Sequence, residues 1–215
     1  VMDHTPGQRQ YQTVSKYVQY YKERMRFTDA EMEAFIAARH AEQALYAAKH
    51  RTAIVKRGLE AGIAFASHDD ATTEHVAESL ADGVSIAEFP TTMVAAEASH
   101  AAGLAVLMGA PNVVRGGSHS GNIAAVDLAR ESCLDVLSSD YVPGALLLAA
   151  FMLPELSGIT LPAAIAMVSA TPAKAAHLKD RGEIVVGKRA DLVRVRRHGE
   201  MPVVEGVWRQ GERVS

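Results

Sequence analysis

Three textures of hydrophobic and polar positions follow one another along the chain. In residues 11–26, Tyr17, Tyr21 and Met25 recur every four positions, which predicts a helix with a core-facing stripe. Thr28 stands three residues before Glu31, a capping box that opens a second helix running unbroken to about Glu60. From Gly62 onward, short apolar runs alternate with alanine-rich helical stretches, the rhythm of a parallel βα sheet. Strands are expected at Ile63–Ser67, Val84–Ala87, Leu104–Met108 and Leu134–Leu137, with starts 21, 20 and 30 residues apart. Such spacing leaves room for one helix per crossover, as in a (β/α) barrel or a doubly wound sheet. Thr91 after Pro90 is expected to cap a helix over Met93–Ala102, and Thr160 and Thr171 to cap two more, the last with Pro172 at its first helical position. Beyond Leu178, glycines punctuate valine-rich runs, which reads as an antiparallel β appendage with Trp208 in a strand. The expectation is an α/β fold with its main body over 1–180 and a small β unit over 181–215.

Composition narrows the class. The chain has 215 residues, 48% hydrophobic and 22% charged, enough to bury a core and unlike a disordered or low-complexity chain. The longest strongly apolar run, Ala145–Leu153, is far short of a bilayer span, and residues 1–10 lack the form of a signal peptide. A soluble protein of the cytoplasm, with no membrane partner, is therefore expected. A single cysteine, Cys133, excludes an internal disulfide framework and a cysteine-based zinc cluster, so a metal would need His and carboxylate ligands. The net charge of −3 is uneven: the eight basic residues after 180 bring the tail to +3. Five acids interleave with them, which argues for a solvated β surface and against nucleic acid.

Polar residues fall where a parallel βα architecture collects its chemistry, at the carboxyl ends of strands. Val1 and Met2 precede Asp3 and His4; the 63–67 run precedes His68, Asp69 and Asp70; the others precede Glu88, Gly109 to Asn112, and Asp140. Two imidazoles and a carboxylate from different strands suit a divalent cation and leave positions open for water and substrate. Each residue also has a plainer reading: Asp69 and Asp70 as helix caps, Glu88 paired with a lysine, Asp140 anchoring a loop. His40, His50, His75, His100, His177 and His198 read as structural or surface residues. The stretch Arg115-Gly116-Gly117-Ser118-His119-Ser120-Gly121-Asn122 combines a guanidinium fork with three glycines. It is expected to gather backbone N–H groups and the amino end of a helix starting near Asn122 around a phosphate, although it lacks the ending of a Walker loop.

Met2 to Gln10, Ser67 to Thr72, Ala87 to Thr92, Met108 to Asn122 and Ser138 to Tyr141 together resemble the PhnM-type phosphonate-metabolism family of the amidohydrolase superfamily. Thr171-Pro172-Ala173-Lys174 and Gly187 to Leu192 resemble that superfamily's passage from barrel to small β-sandwich. The resemblance implies a partial TIM-like barrel and a metal-dependent diphosphatase that releases pyrophosphate from α-D-ribose 1-methylphosphonate 5-triphosphate. It implies one or two divalent ions (Zn, Mn or Mg). Carried over by motif, His4, His68 and Asp140 are metal ligands, and Asp140 also acts on the attacking water. Arg9, Asp69, Asp70 and Glu88 are candidates around them. Family members begin with further β elements, a His-x-Asp motif and a glutamate that complete the metal site. The chain is therefore expected to cover the carboxyl-terminal half or slightly more, to pair with that other half or with a second copy, and to owe its activity to the complete protein. The same metal chemistry would serve a C–N amidohydrolase, and a non-catalytic binding module is the reading from a different class.

Overall fold

The computed structural model describes residues 1–9, 11, 13–118 and 121–215. Helix α1 (Val14–Met25) is capped by Thr13, and α2 (Asp29–Glu60) by Thr28, with both halves of the expected capping box formed. The αβ units follow in order: β1 (Ala66–His68), α3 (Thr73–Ala81), β2 (Ile86–Glu88), α4 (Met93–Ala101), β3 (Ala105–Gly109), α5 (Ala110–Arg115), α6 (Ala125–Arg130) and β4 (Val136–Ser138). The four strands form one parallel sheet in sequence order, with His68 level with Glu88 and Gly109 level with Ser138. Among the described residues β1 and β4 do not pair, so the sheet is open. Leu137 instead donates its N–H to the Met167 carbonyl at the β4 edge (3.0 Å).

The strands start one to three residues later than the apolar runs suggest, for a definite reason. Each preceding helix ends in a left-handed residue: Gly62, Gly83, Gly103 or Ser132. The apolar residue after it, Ile63, Val84, Leu104 or Cys133, donates its N–H to the carbonyl five residues back, on Gly58, Ser79, Ser99 or Leu128. These are Schellman closures, so the residue opening each of the first three apolar runs, and the residue just before the fourth, terminates the helix before the ladder begins. Two caps also differ from expectation. Thr92, not Thr91, accepts the Ala95 N–H (3.1 Å). In the helix over 170–175 Thr171 lies inside, and the preceding Ser169 makes no side-chain cap. Thr160 caps as expected. Residues 1–4 form no strand, although the backbone nitrogen of Val1 reaches the Ala66 carbonyl.

Val106, Leu128 and Leu153 fill the core with Ala87, Ala95, Ala96 and Ala149. The alanines let helices sit close to the sheet. Helix α7 (Ala145–Ser157) is apolar on all sides and packs on α5 and α6. The long α2 behaves differently: Met32 and Gly58 near its two ends are buried, while Leu45, Tyr46 and Ile54 are exposed. In α1, Tyr17 is buried and stacks on Tyr21, but Met25 points out, so the stripe is one turn shorter than expected. After α8 (Leu161–Ala166) and α9 (Ala170–Ala175), β5 (Leu192–His198), β6 (Met201–Arg209) and β7 (Glu212–Arg213) form the antiparallel sheet, with Trp208 in β6. Among the described residues no helix is long and apolar enough to cross a membrane.

Candidate metal and phosphate site

The segment carrying His4 is seated from two sides. Asp3 accepts from the Thr5 N–H (2.9 Å) and from the Gln43 amide of α2, while His40 of α2 contacts the Pro6 carbonyl (3.0 Å). Arg9 forks across to Asp70 and Glu78. Asp70 is fully buried and also accepts from the Ser79 hydroxyl (3.2 Å). Asp70 does not take its plainer reading as the cap of α3, which is Thr72, and it does not line the cavity; Arg9 is its counterion. The pair fastens the His4 segment to the β1–α3 unit.

His4, His68 and Asp69 each offer a ligand atom within 4.8 Å of the others. The two imidazole rings meet edge-on at 5.3 Å, and Phe89 packs on the far side of His68 at 5.5 Å. His68 Nδ1 lies 2.8 Å from Asp69 Oδ2. His4 Nε2, 3.4 Å from the same oxygen, is buried without a hydrogen-bond partner among the described residues. An unpartnered buried imidazole nitrogen facing a second imidazole and a carboxylate fits a cation. Burial would lower the His68 pKa, but the hydrogen bond and charge of Asp69 and the charge of Glu88 outweigh it and hold the pKa above 6.5. Burial pushes Asp69 up, and the two imidazoles beside it reverse that, so its carboxyl titrates below the ordinary aspartate value. Among the described residues Glu88 makes no ion pair with a lysine; its carboxylate stands 3.8 Å from His68 Nε2, and burial raises its pKa.

Asp140 lies outside this three-residue group but lines the same cavity, of about 310 Å³. Asp69, placed by the sequence only among the surrounding candidates, takes the position beside the imidazoles. It does so because a left-handed backbone at 69 (φ 59°) turns its carboxylate back toward His68. Phe89 (φ 55°) and Asp140 (φ 48°) repeat that turn after β2 and β4, and all three line the cavity. Left-handed non-glycine residues clustered at one site are a known mark of function. Aspartate is one of the residue types that tolerate this conformation, but nothing in the sequence singles out Asp69 and Asp140 from the other aspartates, and Phe89 gives no signal at all.

At the other end the cavity is lined by Arg115, Gly117, Ser118 and Asn122. Arg115 is exposed, and its guanidinium has no ion pair or hydrogen bond among the described residues. The glycine N–H groups are not available, because Gly116 donates to Val113 (3.1 Å), Gly117 to Asn112 (2.8 Å) and Gly121 to Ser118 (3.4 Å). Gly116 closes α5 and does not line the cavity. The following helix starts at Ala125, three residues beyond Asn122. His119 lies outside the described residues. Asn112, just past the end of β3, ties the loop down: its Oδ1 accepts from Ala125 N–H (2.9 Å) and its amide reaches the Ile123 carbonyl (3.4 Å).

A parallel βα sheet with imidazole and carboxylate donors at its strand ends is an arrangement suited to holding a metal ion. The chain belongs to the amidohydrolase family, whose pattern matches residues 14–214; members of this family are generally metal-dependent. It is 50% identical over 216 residues to the α-D-ribose 1-methylphosphonate 5-triphosphate diphosphatase of Escherichia coli (strain K12), covering 100% of this chain and 57% of that protein. The chain thus spans just over half the length of this curated relative. Among solved structures it is similar to an amidohydrolase from Thermotoga maritima MSB8 (TM-score 0.57, 21% identity, 92% of this chain and 60% of that one). It is also similar to the A. niger ochratoxinase (TM-score 0.55, 17% identity, 76% and 44%). These two likenesses concern the fold, and they agree with a partial (β/α) barrel.

Proposed function

We propose that the cavity hydrolyses a phosphate anhydride on a phosphorylated sugar, with α-D-ribose 1-methylphosphonate 5-triphosphate as substrate and pyrophosphate as one product. The observation that carries this reading is that one cavity joins the His4–His68–Asp69 group to the Arg115 guanidinium, which has no ion pair among the described residues. The likeness to the E. coli diphosphatase supplies the substrate. His4 and His68 would hold the divalent ion, with Asp69 and Asp140 as the carboxylates nearby. Two imidazoles favour Zn or Mn over Mg. When bound, such an ion neutralises phosphate charge and lowers the pKa of water.

The chain's own residues do the rest. Arg115 anchors the polyphosphate through its planar fork, and Ser118 and Asn122 flank it. The Asp140 carboxylate, without an ion pair among the described residues, accepts the proton as water adds to phosphorus. The anhydride P–O bond breaks, pyrophosphate leaves, and the 5-phosphate stays on the sugar. The test is a pair of variants in the metal-loaded protein. Arg115→Ala is expected to raise KM for the triphosphate at least tenfold, and Asp140→Asn to lower kcat at least about a hundredfold with metal content unchanged. Wild-type kinetics in both would remove the assignment.

A further inference from the structure

We infer that Gly109 is a positioning residue for Asp140: the missing side chain at the end of β3 is the floor on which the Asp140 carboxylate rests. The inference rests on the assignment of Asp140 to the reaction. A Cβ placed on Gly109 would lie 3.0 Å from Asp140 Oδ2, 3.3 Å from its Cβ and 3.6 Å from its Cγ. The Cγ contact is ordinary, but the first two are tighter than side chains normally tolerate.

Backbone conformation does not explain this glycine. Gly109 has φ −72° and ψ 131°, which any residue adopts. Gly62, Gly83 and Gly103, by contrast, sit at positive φ where helices end. What 109 requires is space, and the space is filled by one carboxylate. Gly109 pairs level with Ser138, so β3 ends beside the β4 segment that leads into Asp140. Asp140 then turns through φ 48°, and its side chain falls back over the end of β3. Both residues line the cavity. A methyl at 109 would push the carboxylate away from the strand end and shift where its oxygens meet the attacking water. Displacements of this size at a proton acceptor cost rate more than binding.

Gly109→Ala is compared with Gly144→Ala, the same change at φ −68°, where a Cβ meets nothing within 4 Å. In the metal-loaded protein, Gly109→Ala is expected to lower kcat at least tenfold with KM for the ribosyl triphosphate within twofold, while Gly144→Ala changes neither. In an Asp140→Asn background, Gly109→Ala is expected to slow kcat by less than twofold further. Equal slowing in both backgrounds, or a raised KM at constant kcat, would overturn the proposal. Thermal unfolding reads the contact separately from the chemistry. Gly109→Ala should lower Tm beside Asp140 but not beside Asp140→Gly, a residue suited to φ 48°. An equal loss in both would overturn the steric argument. Wild-type turnover in Asp140→Asn alone would instead refute the role of Asp140 and with it the catalytic half of the proposal, leaving the unfolding cycle to decide the contact.

Discussion

Arg9→Ala removes the cation that faces Asp70 and tests what seats the His4 segment. The Asp70 side chain is 1% exposed and that of Arg9 10%, so the pair lies almost wholly out of water. After truncation the carboxylate keeps only the Ser79 hydroxyl as a side-chain partner among the described residues. Removing one partner of a buried pair costs about 3–5 kcal/mol, mostly the penalty of the charge left behind. The second Arg9 bond, to the half-exposed Glu78, adds only about 0–1 kcal/mol. For a chain of this size each kcal/mol moves Tm by about 2–4 °C, so a fall on the order of 10 °C is expected. Urea unfolding should show the same loss through its midpoint at unchanged slope. The double variant Arg9→Met with Asp70→Leu should recover most of it, because an apolar pair of similar volume leaves no stranded charge. Arg9→Ala should also weaken Zn binding, since the segment bearing His4 loses its anchor on the β1–α3 unit. A loss under about 1 kcal/mol together with unchanged Zn affinity would refute the reasoning.

Two further outcomes are expected. Gly58→Ala should lower stability by about 1–3 kcal/mol despite the gain of about 1 kcal/mol in helix propensity, because its Cβ would sit 2.1 Å from Phe65 Cζ; a stabilised variant in denaturant titration would contradict the packing. Metal affinity should fall on acidification from above pH 6.5, earlier than for an ordinary histidine, because the raised pKa of His68 makes a proton compete with the ion. Calorimetric titration across pH 5.5–8.5 reads this, and an affinity flat down to pH 6 would show that His68 is not a ligand.

The parts of the fold legible in the sequence are those encoded locally. Thr28 with Glu31 formed its capping box, Thr160 capped its helix, and the recurrence of apolar runs marked four parallel strands in order. Strand starts were misplaced because Val84 and Leu104 look like strand residues yet spend their N–H groups on helix closure. The site divides the same way. His68 could be placed at a strand end because it follows the 63–67 run, whereas residues 1–4 form no strand and the His4 segment is seated by Gln43 and His40 of α2. The place of Asp69 could not be read, because it depends on a left-handed turn that its residue type does not announce. The Arg115 loop misled for a related reason: glycines that permit an N–H nest also permit a helix to end, and here Gly116 and Gly117 do the second. Asp70 was misread because its partner Arg9 lies 61 residues away in sequence.

The central claim is that this cavity cuts a phosphate anhydride. Phosphorus NMR of α-D-ribose 1-methylphosphonate 5-triphosphate incubated with the Zn- or Mn-loaded protein tests it most directly. The expected result is equimolar pyrophosphate and sugar 5-phosphate, abolished by a chelator and restored by the metal, with the carbon–phosphorus linkage intact. Release of orthophosphate alone, or an unchanged triphosphate beside hydrolysis of an amide substrate, would contradict it.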